Sequence, residues 1–339
     1  MSKKNSSVNL KNGFKNFEDL SKIFLNFKNQ LNLINKKNFA VAVSGGPDSL
    51  ALVALTRAYT YYKKSKFSYI LVDHGIRKNS KLEAKKVKIL LKKKQLDLEI
   101  ISNTKKIEKN IQGVARNIRY KLLSNYCLKN DIKILITAHN LEDQVETFFI
   151  RLSRGSGLKG LSAMSFKSKL CKKINLYRPL LDVKKQSLIK ISKLIFGNYI
   201  KDPSNSNSKY LRTKVRNLKK PLENSGVKYD QIFKSIKNLS ESKASLDEFL
   251  KKIFDEIIKK KNKEIFINFN KFDSQSNLIK MAIINEAIKK LKKNYYDLRA
   301  KKVNNLINKV SKKDFKKSTL GGCIFYKKGH NLCLKNENP

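Results

Sequence analysis

Residues 39–49 read Phe39-Ala40-Val41-Ala42-Val43-Ser44-Gly45-Gly46-Pro47-Asp48-Ser49. The unbroken apolar run 39–43 predicts a strand covered on both faces, as in a parallel sheet. Ser44-Gly45-Gly46 stops that strand, and a helix is expected from Ser49 to about Tyr62, with Pro47 in a first turn where a missing N–H costs nothing. Strand, tight turn and helix start together make an anion cradle. The glycines let a phosphate approach the main chain, the helix offers unpaired N–H groups and its positive dipole end, and Ser44 and Ser49 add hydroxyls. Asp48 is the odd member, because a carboxylate repels phosphates unless a divalent cation stands between them, which makes it a candidate Mg²⁺-linked residue. The Gly-Lys-Ser/Thr ending of a Walker loop is absent. An ordinary strand-to-helix turn uses the same residue types, so the rest of the chain has to decide.

The 339 residues suffice for two domains. Lys and Arg total 75 against 27 Asp and Glu, a formal charge of +48 that favours a polyanionic partner such as RNA or DNA. Part of that excess is lysine abundance everywhere, since runs such as Lys92-Lys93-Lys94 and Lys259-Lys260-Lys261 sit on helix-like segments as well as in loops. The cysteines Cys127, Cys171, Cys323 and Cys333 form no Cys-x-x-Cys pair, which argues against a zinc site or redox dithiol and fits a reducing cytoplasm. No apolar stretch approaches the roughly 18–20 residues of a membrane span, and the polar start lacks the apolar core of a signal peptide. A cytoplasmic protein without a membrane partner is expected.

Outward from the loop, Phe17, Leu20, Ile23, Phe24 and Phe27 recur at helical spacing ahead of the first strand. Strands expected over 67–72, 98–101 and 132–136 alternate with helices over 81–94 and 110–128, the pattern of a doubly wound α/β sheet. Asp73-His74-Gly75-Ile76-Arg77 follows one strand and Thr137-Ala138-His139-Asn140 another. Polar groups there line the crevice where open α/β sheets bind ligands. Asp143 and Glu146, three apart, share one helical turn with Glu142 close by, a cluster suited to Mg²⁺ or a substrate ammonium, or to the helix dipole alone. Arg116, Arg119 and Tyr120 fall on one face, as do Arg212 and Arg216. The basic, glycine-punctuated stretch 151–161 is long enough to move over a site and close on phosphates. Further on, a long amphipathic helix over 232–257, a strand over 265–269, helices over 278–291 and 303–310, and a hairpin over 321–334 are expected.

The six residues Ser44, Gly45, Gly46, Pro47, Asp48 and Ser49 resemble the pyrophosphatase loop of the N-type ATP pyrophosphatases. Five blocks follow in order: Val72-Asp73-His74-Gly75-Ile76-Arg77, Ala115-Arg116-Asn117-Ile118-Arg119-Tyr120, the run from Ala138 to Thr147, Arg154-Gly155-Ser156-Gly157-Leu158-Lys159-Gly160-Leu161, and Arg178-Pro179-Leu180-Leu181 with Asp202-Pro203-Ser204-Asn205. As an ordered set, residues 39–221 resemble the tRNA(Ile)-lysidine synthetases.

The resemblance implies a parallel-sheet, doubly wound ATP-pyrophosphatase domain over 1–222, with its N-terminal helix, and a basic, mainly helical tRNA-binding region over 223–339 that ends in a β-hairpin. It implies a ligase that uses ATP and Mg²⁺ to adenylate cytidine 34 of a tRNA(Ile) bearing a CAU anticodon. The amine of free L-lysine then displaces AMP. Asp48, Asp143 and Arg116 carry over as catalytic, residues 44–49 as the nucleotide cradle with Asp48 on the metal, and His139, Glu146, Arg212 and Arg216 as substrate-binding. A homodimer is the assembly considered. Glu142 stands where the family often has Asp, and Thr213 where an Asn is usual. Two alternatives stay open: another enzyme of the same fold, such as a tRNA thiolase or an ammonia-using synthetase, and a non-catalytic basic RNA-binding protein.

Overall fold

The computed structural model describes residue 10 and residues 14–76, 79–104, 111–200, 211–292, 298–312 and 314–337. Arg77, Asp202, Pro203, Ser204 and Asn205, named above, lie outside the described residues. In chain order the elements are α1 (Glu18–Asn32), β1 (Asn38–Val43), α2 (Pro47–Thr60), β2 (Lys66–Asp73), α3 (Ser80–Lys92), β3 (Leu98–Ser102), α4 (Ile111–Lys129) and β4 (Ile134–Ile136). They continue through α5 (Leu141–Leu152), α6 (Leu158–Leu161), β5 (Lys167–Lys169), β6 (Asn175–Tyr177), α7 (Lys185–Phe196), α8 (Leu211–Asn217), α9 (Lys219–Asn224) and α10 (Tyr229–Ile257). Last come β7 (Ile258–Lys261), β8 (Glu264–Asn268), α11 (Phe269–Asp273), α12 (Asn277–Leu291), α13 (Ala300–Val310), β9 (Lys317–Leu320), β10 (Cys323–Lys328) and β11 (Asn331–Asn336).

Two compact units divide at Ser240 and Glu241, inside α10, whereas the sequence reading drew its boundary at 222/223. The first unit holds a sheet in the order β3-β2-β1-β4-β6-β5, parallel except for β5 against β6. The chain winds from β1 outward to β3 and then returns to the other side of β1, so β1 and β4 flank the topological switch point. The loops that leave these two strands meet above it. β1 is dry because Phe39, Ala40, Val41 and Val43 are buried, and α2 is buried on nearly every side, Leu50 to Leu55 having no exposure. Such a helix is held by its surroundings, among them α7, whose Leu188, Ile191 and Ile195 share its core.

Two short strands, β5 and β6, escaped the reading because three residues carry no periodicity. In α4 the buried positions are Ala115, Leu123 and Cys127, while Val114, Ile118 and Leu122 are only half-buried. The second unit has a five-stranded antiparallel sheet, β7-β8-β11-β10-β9, under α12 and α13. The expected hairpin is its β10–β11 pair. The lysine run 259–261, beyond the helix expected over 232–257, is strand β7: Ile258 points into the core and the lysines face out. No described helix is long and apolar enough to cross a membrane.

Candidate active site

Ser44 to Ser49 fold as one turn. Ser49 Oγ accepts from the Ser44 N–H (3.2 Å) and donates to the Gly46 carbonyl (2.9 Å), and the Ser44 hydroxyl lies 3.2 Å from it. The two glycines differ. Gly45 sits at φ +81°, and a Cβ there would lie 2.4 Å from Val87 Cγ2 and 3.3 Å from Ile200 Cγ1, so both conformation and packing demand glycine. Gly46 has ordinary extended angles (φ −73°, ψ 164°), and a Cβ there would meet only Ser44 Oγ at 3.6 Å. Among the described residues nothing requires glycine at 46; it leaves main chain bare toward the crevice.

Asp48 occupies the first turn of α2. Its Oδ1 is buried and, among the described residues, has no hydrogen-bond partner, while Asn140 bonds the same carboxylate. Burial pushes this carboxyl up to about 6, Asp143 and Glu142 add to the rise, and the charge of Lys185 and the Asn140 bond oppose it. An orphaned carboxylate oxygen beside a phosphate cradle is a suitable donor for Mg²⁺, which binds through one or two carboxylates plus substrate phosphates.

Across the switch point, the turn after β4 delivers His139 and Asn140. Asn140 caps α5 with a capping box: its Oδ1 accepts from the Asp143 N–H at 2.9 Å, and Asp143 Oδ2 accepts from the Asn140 N–H at 3.1 Å. The helix-terminus role of Asp143 is therefore real, and its Oδ1 additionally accepts from Arg212 Nη2 at 2.9 Å. His139 Nδ1 lies 2.9 Å from Thr137 Oγ1. Burial, then the charges of Arg178, Arg116, Arg212 and Arg119, push His139 down to about 3, so the imidazole is neutral in a cationic wall. Arg116 and Tyr120 do pair, the guanidinium lying 5.0 Å over the ring, and Arg119 Nε donates to His74 Nε2 at 3.2 Å. Burial and then Arg119 push His74 down to about 4 against the pull of Asp73.

Arg212 and Arg216, expected to face tRNA, face α5. Arg212 Nε donates to Glu146 Oε2 (2.7 Å), and Arg216 donates through Nε to Oε1 (2.7 Å) and Nη2 to Oε2 (3.2 Å). Glu146 is 2 % exposed, so both its oxygens are consumed and none is open to substrate. Burial alone would lower both arginines; the carboxylates outweigh it and raise them. Glu142 is engaged as well, accepting from the Lys185 backbone N–H at 2.9 Å and lying 3.5 Å from Lys219 Nζ. It caps α7 from another helix.

The stretch expected to swing as a lid is stitched down. Arg151 Nη1 donates to the carbonyls of Gly160 and Ala163 at 2.7 Å, and Gln144 exchanges two 2.8 Å bonds with the main chain of Met164. Sequence reasoning quoted Gln144 and Arg178 within its blocks without giving either a role, and passed over Lys185. Arg178, 8 % exposed, holds Ser165 O and Ser168 Oγ at 2.9 and 3.0 Å. The signal for it was its place directly after strand β6.

A family model described as a PP-loop domain matches residues 18–222. The tRNA(Ile)-lysidine synthase of Wolbachia pipientis wMel is 33% identical over 327 residues, 94% of this chain and 75% of the relative. That of Orientia tsutsugamushi (strain Boryong) is 42% identical over 186 residues, 54% of this chain and 41% of the relative. Among solved structures, a U34-tRNA thiolase from Methanococcus maripaludis superposes with a TM-score of 0.55 at 19% identity, over 66% of this chain and 78% of its own, a likeness of fold. A pyrophosphatase loop at the switch point, the capped acidic helix facing it, and kinship along nearly the whole chain agree: the protein belongs to the tRNA(Ile)-lysidine synthase family of PP-loop enzymes.

Proposed function

We propose that the chain ligates free L-lysine to C2 of cytidine 34 in a tRNA(Ile) with a CAU anticodon, through an adenylated cytidine. The observation that carries this reading is the orphaned Asp48 Oδ1 beside the bare main chain of Gly46, in a chain whose relatives bear that activity in their names. The PP-loop domain binds ATP. Ser44, Ser49 and the first-turn N–H groups of α2 hold its phosphates, and Asp48 holds Mg²⁺, which when bound neutralises phosphate charge.

Cytidine O2 attacks the α-phosphorus, the bond to the bridging oxygen breaks, and the electron pair leaves with pyrophosphate. Oxygen at C2 thereby becomes part of a good leaving group; the neutral lysine amine forms the C2–N bond, the C2–O bond breaks with its electron pair leaving on AMP, and the amine's proton passes to solvent. Arg116, set by Tyr120, and Arg119, both near neutral His139, meet the negative charge of phosphate and RNA. The lysine ammonium goes to Asp143, whose side chain is 20% exposed, rather than to the sealed Glu146. Arg212 and Arg216 hold α8 against the site and reach tRNA only through their exposed edges.

The test is incubation of the protein with ATP, Mg²⁺, radiolabelled lysine and the CAU-anticodon tRNA(Ile). Label entering RNA at cytidine 34 with release of AMP is expected. ATP cleaved to AMP without label would move the reading to a sulfur or ammonia nucleophile. The sulfur alternative is weakened by the cysteines, of which Cys127, Cys323 and Cys333 are buried, and among the described residues no cluster of metal-ligating side chains occurs.

A further inference from the structure

Two consecutive lysines open α7 and meet different fates. Lys184 lies 2.6 Å from Asp230 in an exposed ion pair. Lys185 is half-buried, and among the described residues its ammonium has no hydrogen bond or ion pair. Three acids near it are already paired with cations of the protein: Glu142 with Lys219, Glu146 with two arginines, and Asp143 with Arg212. Asp48 is not among them, and Lys185 is the cation whose field acts most strongly on it.

The root of Lys185 is fixed from three directions. Its N–H is held by Glu142, the Leu141 N–H donates to the Val183 carbonyl at 3.1 Å, and α7 packs along α2, whose first turn carries Asp48. The starts of α2, α5 and α7 therefore gather round one point, with Asn140 of the α5 cap bonded to Asp48. A half-buried lysine and a buried carboxylate that feel each other would ordinarily close into an ion pair. Here they do not close, and among the described residues Asp48 Oδ1 stays without a partner. The gap between a cation and an anion of this kind suits a third, dipolar occupant: a phosphate against the ammonium, with its counter-cation against the carboxylate.

We propose that Lys185 binds the β- and γ-phosphates of ATP and stabilises the departing pyrophosphate. This rests on the ATP-cleaving step proposed above but not on the identity of the nucleophile. As the new bond to the α-phosphorus forms, the bond from it to the bridging oxygen breaks and the electron pair passes to pyrophosphate. A cation already fixed beside that group stabilises the charge where it grows. No proton transfer is required of the lysine.

The experiment compares wild type, Lys185→Met and Lys185→Arg in the full chain, measuring affinity for Mg·ATP, for pyrophosphate and for AMP in the absence of tRNA and lysine. With Lys185→Met, Mg·ATP and pyrophosphate are expected to bind at least about 10-fold more weakly, as follows from losing a charged contact, while AMP affinity is unchanged. Lys185→Arg is expected to recover most of the loss. Unchanged Mg·ATP affinity in Lys185→Met would overturn the proposal, and so would an equal loss for AMP, which marks damage to the fold of the site. Failure of wild type to lysylate tRNA would leave this contrast intact, so the two readings fail separately.

Discussion

Arg216 Nε donates to Glu146 Oε1 at 2.7 Å across the gap between α8 and α5, while Arg212 takes the other oxygen at the same distance. The carboxylate is sealed and the guanidiniums are about a third exposed, so the cost of breaking this triad is asymmetric. Glu146→Ala removes the shared anion and leaves two partly desolvated cations facing each other. A loss of about 2 kcal/mol is expected, below the full value for buried pairs because solvent reaches the arginines. Thermal unfolding of the apo protein checks it; an unaltered melting temperature would mean the triad holds nothing together.

The adjacent glycines give opposite expectations. Gly45→Ala puts a methyl into Val87 at φ +81° and is expected to destabilise by at least about 2 kcal/mol. Gly46→Ala is expected to fold as wild type, within about 0.5 kcal/mol, yet to bind ATP at least about 10-fold more weakly. Urea unfolding and nucleotide titration of both variants separate the two effects; equal stability losses would remove Gly46 from the ligand surface.

Asp48 and His139 pull pH dependence in opposite directions. The folded carboxyl titrates at about 6 instead of 3.8, so the folded protein binds the extra proton and this group's stabilisation is lost as pH rises through about 6. Asp48→Asn is thus expected to be more stable than wild type at pH 7.5, by about 2 kcal/mol in the absence of nucleotide, while losing AMP formation. His139 titrates at about 3 instead of 6.5, so protonation of the unfolded chain erodes stability as pH falls from 6.5 toward 3. Denaturant midpoints across pH 4–8, for wild type, Asp48→Asn and His139→Asn, read both limbs.

Gln144→Leu keeps the volume and removes both bonds to Met164. Two main-chain groups lose their partners, and residues 153–163 are expected to loosen. Limited trypsin digestion should cut after the exposed Arg154 and Lys159 several-fold faster than in wild type. Identical digestion rates would mean that Arg151 alone fastens the segment.

The nucleotide loop was legible because its features are local: an apolar run, a glycine that needs a positive φ, and a proline at the helix start all fall within eleven residues. The capping box was half legible, since Asn140 and Asp143 are three apart, but whether Asp143 served the helix or a ligand depended on what approached it. Glu146 with Arg212 was not legible, because 66 residues separate them and the periodicity of one helix says nothing about the face of another. The same distance blindness made 151–161 look like a lid, since the tethers from Gln144 and Arg151 reach the main chain beyond it. Lys185 was hidden by abundance. In a chain with 75 basic residues no single lysine stands out until its neighbours are found to be spoken for.

The strands that end the sheets give the lysine excess another meaning. β5, one edge of the first sheet, is three residues long with exposed Lys167 and Lys169, and both edges of the second sheet, β7 and β9, present exposed lysines at 259–261 and 317. An edge strand with open N–H and C=O groups is a template for pairing with another molecule, and short length and like charge are what discourage it. A share of the +48 charge therefore works against aggregation, keeping copies of a crowded, nascent chain from joining edge to edge before any RNA is met.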